Sequence, residues 1–222
     1  LNEKFEIYYH YQSDKESTLK VLEDNQPDAW LTSPCPKYFI GTEFISKTNN
    51  LKIISTPSTG TNHIDLKEAK RRNIDVFCLR NSQIVNQIYA SSEFTFALML
   101  STIRMIPYAV DLVKNDHWRD IESNLRAREF KEMPLGIVGY GRIGSNLARY
   151  SKALGMKVLA VDPYRKIDKA DNVIQVSSYE KMSSEIDVLA ICVHLSEDTF
   201  HLIGIKEIEK LKKGAILINT SR

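Results

Sequence analysis

Short β-rich runs alternate with helical stretches along the chain, a pattern of parallel sheets joined by crossover helices rather than of a sandwich. Residues 5–9, 29–32, 51–55 and 75–79 read as four strands of a first unit, with helices near 17–23 and 66–72. From Ser91 the pattern changes. Residues 93–105 predict a long helix in which Phe94, Phe96, Ala97, Leu98, Leu100 and Ile103 leave apolar side chains on most sides. Such a helix belongs between two packed bodies. Pro107 lacks an N–H and crowds the preceding turn, so it should kink or end that helix, with a second short helix running on to Lys114. Residues 115–131 are polar, with Trp118 the only large anchor, and lead into a second domain. The expected organisation is therefore α/β in two parts: a smaller unit over 1–90, and a doubly wound Rossmann-type domain with its connecting helix over 91–222.

The second part opens on the strongest motif. Leu135, Gly136, Ile137 and Val138 form a short buried strand running into Gly139-Tyr140-Gly141-Arg142-Ile143-Gly144, a complete G-x-G-x-x-G. Gly139 permits the tight turn, Gly141 lets backbone approach a pyrophosphate, and Gly144 lets the helix pack closely on the sheet. The following helix places Ile143, Leu147, Ala148, Ser151 and Leu154 on one face and stops at Gly155, with its first amides and dipole aimed at the phosphates. A second strand over 157–161 ends at Asp162, where a carboxylate can accept both adenosine ribose hydroxyls. Strand, turn, helix, strand and acid in register make this a dinucleotide site. Asp162 favours NAD, because a carboxylate repels the 2′-phosphate of NADP; the nearby Arg165 and Lys166 weaken that inference.

Two further apolar runs, 187–193 and 215–218, read as central parallel strands. Ligands of such sheets sit beyond the carboxyl ends of the strands. The residues there are Cys192 to Leu195 and Asn219 to Arg222. His194 reads first as a solvated or hydrogen-bonded strand-end group, with acid–base work as the alternative. Arg222 is the better candidate, since a guanidinium can grip a carboxylate with two parallel hydrogen bonds, the alternative being a surface arginine at a chain end.

Composition narrows the partners. Thirty Lys and Arg against 28 Asp and Glu give a net charge of +2 over 222 residues, with no long single-sign run, so nucleic acid is not implied. The three cysteines, Cys35, Cys78 and Cys192, are far apart and without metal-type spacing, which suits a reducing compartment and no metal site. No apolar stretch approaches the roughly 20 residues that cross a bilayer, and no leader pattern opens the sequence. A cytoplasmic protein without a membrane partner is the expectation.

The runs 135–163 (LGIVGYGRIGSNLARYSKALGMKVLAVDP), 195–204 (LSEDTFHLIG) and 211–222 (LKKGAILINTSR), taken in order, resemble the D-isomer-specific 2-hydroxyacid dehydrogenases, phosphoglycerate dehydrogenase-like members in particular. Ser58, Thr59 and Gly60, with the residues on to Leu66, resemble that family's substrate loop, and Ser92 and Glu93 the start of its interdomain helix. The likeness covers about two thirds of the chain. It implies hydride transfer between C2 of a small 2-hydroxy or 2-oxo acid and NAD, with a 3-phosphoglycerate-like acid as one candidate substrate. Arg222 matches the catalytic arginine that binds the carboxylate and polarises the C2 oxygen. Arg142 and Ile143 match the pyrophosphate turn, Asp162 the ribose-binding acid, and Thr220 and Ser221, with Arg222, the loop beside the nicotinamide.

The sequence also departs from the family. The glutamate and histidine that manage the proton follow the arginine in relatives, and this chain stops at Arg222, so a fragment inactive by itself is expected. Cys192 and His194 stand where many relatives carry His and Pro, so His194 could touch the cofactor. An NAD(H)-sensing or corepressor-like binding protein on the same fold, and a methyltransferase, are the competing classes. A homodimer is implied by the family, through residues 93–105 and 115–131. Substrate choice would lie near Ser58 to Asn62 and Asn81 to Tyr89, and Lys52 or Arg80 could suit a phosphorylated substrate.

Overall fold

The computed structural model describes residues 4–11 and 14–221, with backbone alone at Asn81 and residues 119–121. Arg222 thus lies outside the described residues. The chain divides into two compact units, residues 1–87 and 88–222, and each is described by itself.

The first unit carries α1 (Lys15–Asn25), β1 (Ala29–Leu31), α2 (Thr42–Ile45), β2 (Ile53–Ser55), α3 (Leu66–Arg71) and β3 (Asp75–Phe77). The three strands form one parallel sheet in the order β1-β2-β3. Asp14 caps α1 by accepting from the Ser17 amide at 2.8 Å, and Asp65 caps α3 by accepting from the Lys67 and Glu68 amides. The core gathers Leu22, Ile40, Phe44, Ile45, Ile54 and Ile64, with Trp30 and Tyr38 stacked on Phe44.

Two expectations for this unit change. The stretch expected as a strand over 5–9 forms none: Phe5, Tyr8 and Tyr9 are exposed, and the Tyr8 hydroxyl donates locally to Glu6. Its alternating aromatics supply strand propensity, but a strand also needs a ladder partner, which this segment does not engage. The short α2 was absent from the reading because four residues show no helical period; Gly41 opens it, and it buries Phe44 and Ile45.

The second unit holds α4 (Ala90–Ile103), α5 (Ile106–Lys114), β4 (Pro134–Val138), α6 (Arg142–Ala153), β5 (Lys157–Val161), β6 (Ile174–Gln175), α7 (Glu180–Ser183), β7 (Val188–Ile191), α8 (Ile205–Ile208) and β8 (Ile216–Asn219). All five strands are parallel, in the order β6-β5-β4-β7-β8. Successive strands move outward from β4 first to one side and then to the other. The crevice at this reversal, beyond the carboxyl end of β4, is where such sheets bind ligands. Every residue of β7 is buried, as are Leu135 to Val138 in β4, which accounts for their unbroken apolar sequence.

Helix α4 buries a single stripe of Ser92, Thr95, Met99 and Ile103, while Phe94 is 64% exposed. The expectation that both its faces are covered is therefore not met within this unit. It ends at Ile103, short of Pro107, and Met105 takes a left-handed conformation (φ 56°) before α5 starts with the proline in its first turn. A proline there loses no helix hydrogen bond. Among the described residues, no single helix is long and apolar enough to cross a membrane.

Candidate functional site

The turn after β4 is assembled from three glycines in three different environments. Gly139 has φ +91°, and a Cβ there would lie 2.8 Å from Val193 Cγ1 and 2.9 Å from the Cys192 carbonyl oxygen. Only glycine tolerates that combination without strain. At Gly144 a Cβ would lie 2.1 Å from the Gly139 carbonyl oxygen, so this residue brings the first turn of α6 against the strand. Gly141 differs from both, because nothing lies within 4 Å of where its Cβ would be. Space is held open there, at the amino end of a 12-residue helix whose first amides have no intrahelical acceptor.

Asp162 closes the turn. One carboxylate oxygen accepts the Tyr140 amide at 2.8 Å and the other accepts the Tyr164 amide at 2.9 Å. Each oxygen retains a lone pair for a ribose hydroxyl. Arg165 donates to the Tyr140 carbonyl at 2.9 Å, a tie across the turn that the sequence reading did not assign. The Tyr140 phenol is pushed up to about 12 by burial and by its hydrogen bond to Asp171, so it stays protonated. The Arg142 guanidinium donates to the Ile88 carbonyl, which leaves its backbone amide, with those of Ile143 and Gly144, at the helix start. Open space at Gly141, helix amides and a ribose-facing acid fit the pyrophosphate and adenosine of a dinucleotide.

The carboxyl ends of β7 and β8 lie on the other side of β4. Burial pushes the Cys192 thiol up to about 12, and its partly buried side chain packs against the main core of this unit. His194 is exposed, and its carbonyl accepts from the Thr199 hydroxyl. Thr220 and Ser221 are tied down. The Thr95 hydroxyl gives its one proton to the Ser91 carbonyl at 2.7 Å, so the Thr220 hydroxyl is the donor in their 2.7 Å contact. Ser221 donates to the Ile191 carbonyl at 3.1 Å, and its amide donates to Asn219. The backbone leading into Arg222 is thereby anchored to α4 and β7. Thr95 was missed because a threonine inside an apolar helix reads as filler.

In the first unit, Ser58 to Gly60 follow the carboxyl end of β2. Ser58 is buried, and its hydroxyl donates to the Gly60 carbonyl. The Leu79 amide donates to the Ser58 carbonyl at 2.9 Å, and Arg80 Nε donates to the Thr59 carbonyl at 3.2 Å. The loop is held in shape by the segment after β3.

Fold and turn together define a dinucleotide-binding α/β protein. Comparison with known proteins supplies the family. Residues 96–222 match the NAD binding domain of the D-isomer specific 2-hydroxyacid dehydrogenases, and residues 1–84 match the catalytic domain of the same family. The chain belongs to that family, and its cofactor is NAD. It is 33% identical over 186 residues to a glyoxylate reductase of Thermococcus litoralis, covering 81% of this chain and 55% of the relative. It is also 33% identical over 184 residues to a D-3-phosphoglycerate dehydrogenase of Archaeoglobus fulgidus, covering 82% of this chain and 34% of the relative. A D-lactate dehydrogenase of Aquifex aeolicus, solved with NAD and lactic acid, superposes with a TM-score of 0.75 at 32% identity, over 90% of this chain and 59% of that one. The chain spans about half the length of the first of these curated relatives and about a third of the second.

Proposed function

We propose that this chain forms the cofactor-binding and acid-binding parts of an NAD-dependent oxidoreductase that converts a D-2-hydroxy acid and its 2-oxo acid into one another. The observation that carries the reading is the open Gly141 face at the start of α6, closed on its ribose side by Asp162. When bound, NAD supplies the hydride acceptor at its nicotinamide. Gly139 to Gly144 hold the pyrophosphate, Asp162 the ribose, and His194 lies beyond β7 as an exposed group at the same end of the sheet. Thr220 and Ser221 present the next residue, Arg222, whose guanidinium binds the substrate carboxylate and polarises the oxygen on C2. Ser58, Thr59 and Gly60, the loop that resembles the family's substrate loop, supply backbone amides to the acid. In the oxidative direction a hydride leaves C2, the C2 hydroxyl proton passes to a base, and the 2-oxo acid remains. The family resemblance assigns that proton to a glutamate and a histidine that follow the arginine in relatives.

The test is NADH oxidation, followed at 340 nm, by the full natural polypeptide with glyoxylate, hydroxypyruvate, pyruvate and 3-phosphohydroxypyruvate. Saturable turnover is expected, with the D product from the acids whose product is chiral and glycolate from glyoxylate. NADH binding without turnover on any of these acids would instead indicate a sensing protein and overturn the reading.

A homodimer belongs to the same proposal. Helix α5 buries none of its residues and exposes Ile106, Val110 and Val113 to about half. Trp118 is 72% exposed beyond it. This shifts the expected contact from α4 toward α5 and the segment after it, and sedimentation of the polypeptide should give twice the chain mass. A cytoplasmic location fits the free thiols of Cys78 and Cys192.

A further inference from the structure

The two basic residues that could meet a charged substrate in the first unit, Lys52 and Arg80, lie at opposite ends of its sheet. Lys52 immediately precedes β2, at the amino ends of the strands, and its ammonium pairs with Asp28 at 2.9 Å. It is far from the ligand side of a parallel sheet and already neutralised. Arg80 follows β3, at the carboxyl ends, and its Nε donates to the carbonyl of Thr59 within the Ser58–Gly60 loop. That single bond uses one edge of the guanidinium and leaves the terminal amino groups of the fork beside the loop. The ion pairs of the described residues in this unit join Lys15 to Glu43, Lys47 to Glu23, Lys52 to Asp28, and Glu68 to Arg71 and Arg72. None involves Arg80, whose side chain is in solvent-exposed surface.

We infer that Arg80 is a specificity-determining residue that receives a second anionic group on the substrate. The inference rests on the dehydrogenase reading above and narrows it to 2-hydroxy or 2-oxo acids carrying a further carboxylate or phosphate. A planar fork with unused N–H donors suits either group through paired hydrogen bonds, which an ammonium cannot reproduce. The bond to Thr59 also couples recognition to the loop: one side chain orients the Ser58–Gly60 backbone and faces the distal charge. A substrate with one carboxylate would use the loop and leave the cation unsatisfied.

The experiment compares kcat/KM of the full polypeptide and its R80Q and R80K variants on glyoxylate, oxaloacetate and 3-phosphohydroxypyruvate, with NADH. The wild type should prefer one doubly anionic acid over glyoxylate at least tenfold, and which one it prefers separates carboxylate from phosphate. R80Q, which keeps a donor for the Thr59 carbonyl, should reduce that preference at least tenfold, and R80K should retain an intermediate preference. A wild type that turns over glyoxylate without favouring either dianion, or an R80Q preference within twofold of wild type, overturns the assignment of Arg80 while leaving the dehydrogenase reading intact. No turnover of any of the three acids would overturn the assignment of Arg80, and the dehydrogenase reading would fall with it only if pyruvate and hydroxypyruvate were also left unreduced.

Discussion

Gly141 and Gly144 stand three residues apart in one motif, yet the structure assigns them opposite kinds of failure. A methyl group at Gly144 would lie 2.1 Å from the Gly139 carbonyl oxygen, about 1.2 Å inside the ~3.3 Å at which carbon and carbonyl oxygen normally meet. The obstructing atom is backbone in a glycine turn, so relief requires α6 to retreat from β4. Overpacking of this kind costs about 1–3 kcal/mol, and rigid surroundings place Gly144→Ala near ~3 kcal/mol. With a urea dependence of about 1–3 kcal/mol per molar, the unfolding midpoint should fall by roughly 1–3 M. Gly141→Ala meets nothing within 4 Å, and the native φ of −78° is open to alanine. Its stability cost should stay below about 1 kcal/mol, the difference between glycine and alanine as an N-cap. Its methyl group would instead stand where a pyrophosphate meets the helix amides. Losing one or two such charge-assisted hydrogen bonds, about 1.5–3 kcal/mol each, weakens NADH binding roughly 10- to 100-fold or more. Urea unfolding followed by circular dichroism, alongside NADH titration by fluorescence, reads both axes. Gly141→Ala that binds NADH like the wild type would refute the placement of the pyrophosphate, and Gly144→Ala of undiminished stability would refute the packing argument.

Three other outcomes follow from particular contacts. Thr95→Val removes the acceptor of the Thr220 hydroxyl from a fully buried position, so it should cost about 1–2 kcal/mol in urea unfolding; an unchanged midpoint would mean that this tether holds nothing. Glu68 is held at about 2 by hydrogen bonds from Arg71 and then Arg72, below its usual 4.5. Its folded value is depressed, so its stabilisation is present above about pH 4.5 and is lost as pH falls toward 2. Glu68→Gln should flatten the acid-side decline of the first unit over that window, as read from urea midpoints at stepped pH, and an unaltered slope would contradict the pairing. Asp162→Ser removes the charge proposed to meet the ribose, and the ratio of NADH to NADPH affinity should fall roughly tenfold, about 1.4 kcal/mol; a ratio that stays put would place the discrimination elsewhere.

The parts legible in the sequence were those whose cause is local. The glycine turn, the amphipathic α6 and the buried runs of β4 and β7 each show a period or a breaker that a reader can see. What depended on partners was not legible. The aromatic alternation near Tyr8 looks like a strand until a ladder partner is sought, and α4 looks covered on all sides until Phe94 is found in solvent. The site divides in the same way. Gly139, Gly141, Gly144 and Asp162 follow from spacing, whereas the ties made by Thr95, Arg165 and Arg80 link residues 21 to 125 positions apart and leave no pattern. Arg222, the residue with the most chemistry proposed for it, lies outside the described residues.

The most direct test of the central claim is equilibrium titration of the 222-residue chain with NADH, followed by its fluorescence, with NAD and S-adenosylmethionine as competitors. Saturable binding displaced by NAD and untouched by S-adenosylmethionine is the predicted result. Tight binding of S-adenosylmethionine with none of NADH would contradict the account at its base.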